Sequence, residues 1–65
     1  MDTPEEIINK VIDEQVDRIL VAIGRTPARY VAREIGIHEQ TVADVISRRR
    51  RPTMKTLRLL SERYL

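Results

Sequence analysis

Ile8, Ile12, Val16, Ile19 and Ile23 recur at spacings of four, four, three and four. At about 100° per residue these positions gather into one stripe, which predicts an amphipathic helix with that stripe facing a core. Thr3-Pro4-Glu5-Glu6 begins the helix: Thr3 can cap it, Pro4 suits the first helical position, and Glu6 completes a capping box. Gly24 ends it. Thr26-Pro27 then reads as the cap and first residue of a second helix, which runs to about Ile35 before Gly36 breaks it. A third periodic segment extends from Glu39 to Arg48 with Val42, Val45 and Ile46 apolar, and Arg51-Pro52 then turns the backbone out of helical geometry. Thr53 caps a fourth helix that carries Met54, Leu57, Leu60 and Tyr64 on one face. No stretch alternates with period two, so the expected fold is all-α: a single compact four-helix domain over residues 1–65.

Two apolar residues do not fit the main stripe. Ile7 and Val11 lie about 130° from its centre, and one helix face cannot bury both sets. A chain of 65 residues buries only about 60% of the surface its unfolded form exposes. Without cysteine it has neither a disulfide nor a thiolate zinc site to add stability. A second copy of the chain is the expected remedy, with Ile7 and Val11, on an amino-terminal helical extension over residues 1–16, as the dimer contact.

The net charge of +2 hides a division. Residues 1–24 carry six acids against two bases, whereas residues 25–65 carry ten bases, nine of them Arg, against four acids. Arginine is the side chain best shaped for bidentate contact with phosphate and guanine, so the second part points to a polyanion. The longest unbroken apolar stretch, Ile19 to Ile23, is far short of a membrane span, and the acidic start is unlike a signal peptide, so the cytoplasm is expected.

The predicted second and third helices, joined by a break containing Gly36, outline a helix-turn-helix over residues 27–48. Ala32 is small where the two helices must approach, Gly36 frees the turn, and Val42 and Val45 anchor the reading helix from beneath. The pattern Ala32-x3-Gly36-x5-Val42-x2-Val45, followed by the basic loop Arg49-Arg50-Arg51-Pro52-Thr53, resembles the lambda-repressor and Cro-like, or XRE, helix-turn-helix family. The likeness covers about residues 17–65. His38 stands where that family often has a capping Ser or Thr, and Arg48 where it often has Gly. Relatives usually add a fifth helix for packing or dimerisation. This sequence stops directly after its fourth, so the long first helix is expected to take that role.

The resemblance implies a double-stranded DNA partner read by the third helix. Gln40 suits adenine, Asp44 can accept from cytosine, and Ala43 can meet a thymine methyl. Glu39 either reads a cytosine or only favours its helix terminus, and Arg48, at the end of the helix, is within reach of a base. Arg25, Arg29, His38, Arg49, Arg50 and Arg51 are expected on the phosphate backbone, together with amide donors at a helix start near Thr26. Glu6–Lys10 and Glu14–Arg18 have helix spacing and read as modest helix support.

No cofactor or metal is expected: His38 is the only histidine, and Ser47 and Ser61 lack a partner base, which argues against an enzyme. The leading expectation is a phage- or plasmid-type transcriptional repressor that binds an inverted repeat as a homodimer. The alternatives are a DNA-binding antitoxin with a toxin partner, and a basic protein-interaction module that does not bind DNA.

Overall fold

The computed structural model describes residues 3–65. Met1 and Asp2, the start of the expected extension, lie outside the described residues. The described chain forms four helices: α1 (Pro4–Ile23), α2 (Ala28–Ile35), α3 (Glu39–Ile46) and α4 (Met54–Tyr64). α1 begins as its sequence requires. The Thr3 hydroxyl accepts from the Glu6 amide at 3.2 Å and the Glu6 carboxylate accepts from the Thr3 amide at 3.3 Å, satisfying two amide donors that the helix leaves open.

The core lies where all four helices meet. Val16, Ile19 and Ile23 of α1, Val31 and Ala32 of α2, Val42 and Val45 of α3, and Leu60 of α4 are buried together. Ile12, Leu57 and Tyr64 are half-buried at its edge. Thr56, the one buried polar residue among those described, donates its amide to the Thr53 hydroxyl at 3.3 Å and accepts a 3.1 Å hydrogen bond from it, so the cap of α4 also satisfies the buried group.

Two positions from the periodic stripes depart from this core: Ile8 is 59% exposed and Met54 71%. The cause is length. The first fully buried residue of α1 is Val16 and Ile12 is half-buried at the core edge, so residues 4–11, about 12 Å of helix at 1.5 Å per residue, run past the core. The elongated envelope, 40 × 19 × 19 Å, follows from this overhang. Periodicity identifies the face of a helix but not where its neighbours end.

Helix ends also differ from expectation. α2 starts one residue late, at Ala28, with Pro27 as its N-cap; the Thr26 amide is bonded to the Ile23 carbonyl at 3.2 Å, and Thr26 caps nothing. α2 stops at Gly36, whose left-handed φ of 72° favours a residue without a Cβ, and the Ala32 carbonyl accepts from both Gly36 and Ile37 amides. α3 stops at Ile46 rather than Arg48. Ser47 keeps helical torsions, but Arg48 has φ 62°, and its turn is closed by the Arg49 amide donating to the Asp44 carbonyl at 2.9 Å.

Candidate nucleic-acid interface

α2 and α3 pack on each other through Val31, Ala32, Val42 and Val45, which fixes the opposite side of α3 toward solvent. Its start is held by His38, whose Nδ1 accepts from the Gln40 amide at 3.1 Å. Histidine thus does the work of the expected Ser or Thr, and only its Nε2 is left to face outward.

With Val42 and Val45 buried, Gln40 and Asp44 lie on the outer side one turn apart, and Ser47 continues the same i, i+4, i+7 line. The Gln40 Nε2 donates to the Asp44 carboxylate at 3.0 Å. That bond uses one of two amide hydrogens and leaves the other, with the amide oxygen, turned outward as a donor and acceptor pair. Ala43 is half-buried beside this line and Glu39 is exposed in the first turn. Ser47, the C-cap of α3, was not among the residues expected on this face; its hydroxyl donates to the Asp44 carbonyl at 3.4 Å, and its seven-residue spacing from Gln40 was the available signal for its place on this line.

The arginine run divides into two kinds. The guanidinium of Arg48 is bonded to Asp17, and Arg51 grips Asp13 with both arms of its fork, Nε to Oδ1 at 2.9 Å and Nη2 to Oδ2 at 3.1 Å. The hydrogen bond from Arg51 and its positive charge hold the Asp13 carboxyl below its ordinary range and push the Arg51 guanidinium up. One helix end differs from expectation: Arg48 lies past the end of α3 and turns toward α1, while Arg51 is engaged with Asp13 within the chain. Arg49 and Arg50 make no ion pair among the described residues, so they carry the outward charge of the loop. The four arginines, with Asp13, Val16, Val45 and Pro52, border a small cleft between α1 and the loop.

Arg25 and Arg29 are exposed beside the start of α2, where Arg29 lies 5.2 Å from the centre of the Tyr30 ring. The open amides at that start belong to Ala28 and Arg29, not Thr26. Ile7 and Val11 are exposed on α1, away from α3.

This arrangement is that of a helix-turn-helix domain with a polar outer helix. A family model described as Helix-turn-helix matches residues 18–64, and the chain belongs to that family, the XRE or Cro and lambda-repressor-like helix-turn-helix proteins. The family is one of DNA-binding regulators and not of enzymes. No curated protein and no solved structure matches the chain significantly. Among the described residues no helix is long and apolar enough to cross a membrane.

Proposed function

We propose that this chain is a cytoplasmic transcriptional repressor of the phage or plasmid kind, two copies of which each lay α3 in one half of an inverted-repeat operator. The observation that carries the reading is the outer line of α3: Gln40, Asp44 and Ser47 share one solvent face while Val42 and Val45 hold the helix from below. In a major groove Gln40 pairs with adenine, Asp44 accepts from a cytosine amino group, Ala43 meets a thymine methyl and Glu39 reaches the flanking pair. Arg49, Arg50, Arg25, Arg29, the His38 Nε2 and the open amides of α2 take the phosphates. Ile7 and Val11 join the two copies.

Selection of bound fragments from random duplex tests this directly. The expected product is a palindromic site with half-sites about 34 Å apart, or a multiple of that. Gln40→Ala and Asp44→Ala should each relax one position by about 1–3 kcal/mol of discrimination. Because Asp44 orients the Gln40 amide, Asp44→Ala should also weaken the preference at the position Gln40 reads. Unaltered preferences in both variants would show that another face of the helix meets the bases.

A further inference from the structure

Four residues of α2 are exposed: Arg29, Tyr30, Arg33 and Glu34. Glu34 is turned to α4, where the Arg63 Nη2 donates to its carboxylate at 3.2 Å. The other three make up the open face of the helix, and no acid lies among them. Arg29 and Arg33 have no ion-pair partner among the described residues, yet both pack on one ring, with their guanidinium carbons 5.2 Å and 5.9 Å from the centre of Tyr30. Two like charges four residues apart on a helix repel each other. An acid at either position would pair with the arginine one turn away, so helix stability alone does not account for the cluster. Nor does the core, since Tyr30 is 46% exposed.

We propose that Arg29 and Arg33 together grip the phosphates of one DNA strand, with Tyr30 as the positioning residue that holds both guanidiniums in place before DNA arrives. The inference rests on the DNA-binding reading and extends it to Arg33 and Tyr30. When the second helix of a helix-turn-helix lies in the major groove, the first crosses the sugar-phosphate backbone. α2 is that first helix. With Glu34 drawn to α4, the side of α2 left to meet the backbone is the one that carries Arg29, Tyr30 and Arg33. The two arginines are about 6 Å apart along the helix at 1.5 Å per residue, close enough to serve the same strand. A long side chain loses rotamer freedom when it is fixed on a phosphate. Stacking on the negative face of an aromatic ring takes part of that loss in the free protein, so less remains to oppose binding.

Titrations of operator and random duplex across a salt series test each part. Arg33→Gln should lower the slope of log affinity against log salt by about 0.9, as should Arg29→Gln, and the double variant should lower it by about 1.8 on both DNAs. Tyr30→Leu keeps both charges and removes the ring, so it should weaken binding about 3-fold to 10-fold while the slope is held. Tyr30→Phe keeps the ring and should bind as wild type does. In the Arg29→Gln, Arg33→Gln background Tyr30→Leu should add nothing, because no guanidinium is left to position. Circular dichroism confirms that each variant stays helical. A slope unchanged by Arg33→Gln would overturn the proposal and leave this face of α2 to an acidic protein. So would a Tyr30→Phe variant as weak as Tyr30→Leu, or a Tyr30→Leu loss that persists without the two arginines. Arg49→Gln with Arg50→Gln, measured in parallel, separates the failures. A slope lowered there but not by Arg33→Gln counts against this contact alone, whereas a wild type that binds no duplex removes the DNA-binding reading and this contact with it.

Discussion

Arg48 occupies a backbone position that the chain could have given to glycine. At φ 62° its Cβ crowds the following carbonyl, a strain of about 1–2 kcal/mol for an ordinary L-residue. The bond to Asp17 partly offsets this. Replacing Arg48 with Gly removes the strain but loosens the unfolded chain by about 0.5–1 kcal/mol and loses an exposed ion pair, so the net change should be close to zero. Arg48→Val keeps the strain, adds a branched Cβ that this region tolerates badly, and loses the same pair. Urea unfolding should therefore place Arg48→Val below Arg48→Gly by about 1–2 kcal/mol. Equal midpoints for the two would mean that the loop does not hold the left-handed turn in solution.

At the scale of elements, the acidic face of α1 acts as a clamp on the loop after α3. Asp13 and Asp17 lie one turn apart and engage Arg51 and Arg48 across 38 and 31 residues of sequence. Since the folded state lowers the Asp13 carboxyl from its ordinary value of 3.8, its contribution to stability is present above that value and is lost as pH falls below it. Arg51 stays charged throughout. Asp13→Asn should flatten that part of the acid unfolding curve and leave the profile near neutrality with the same shape. If the acid limb is unchanged in Asp13→Asn, the clamp does not form in solution.

The sequence made local features of these elements legible and hid the distant ones. The capping box of α1, the cap at Thr53, the left-handed stop at Gly36 and the buried pair Val42 and Val45 each depend on residues within a few positions of one another. Their physics is local, and so was the signal. The spacings Glu6–Lys10 and Glu14–Arg18 were equally visible, yet neither ion pair forms, whereas Arg58–Glu62 at the same spacing does. The Glu6 carboxylate accepts from the Thr3 amide instead, and exposed pairs of this kind gain so little that spacing alone does not decide which of them form. The clamp was invisible because its partners are far apart in sequence and only packing of α1 on the loop brings them together. Ile8 and Met54 were misplaced for the complementary reason, since a stripe carries no information about where the covering helix stops. Within the candidate site, the outer face of α3 could be read from the buried valines, but the retreat of Arg48 from that face depended on a single torsion.

For the whole molecule, the clamp changes how much of the basic half faces outward. Residues 25–65 carry an excess of positive charge, but two of the four adjacent arginines are already paired with the acidic first helix. Each arginine that neutralises a phosphate on binding releases a counterion, and its removal lowers the slope of log affinity against log salt by about 0.9 on duplex DNA. Arg49→Gln with Arg50→Gln should therefore lower the slope by about 1.8, on operator and random duplex alike, with base preferences intact. Arg51→Gln should lower it by much less than one contact, because that guanidinium is held by Asp13. Asp13→Asn should act in the opposite direction, freeing Arg51 for the backbone, steepening the slope and tightening binding to random duplex. Titrations across a salt series on both DNAs distinguish these outcomes. Equal losses from Arg49→Gln, Arg50→Gln and Arg51→Gln would mean that DNA draws Arg51 away from α1. A loss confined to operator DNA would instead place Arg49 and Arg50 on bases.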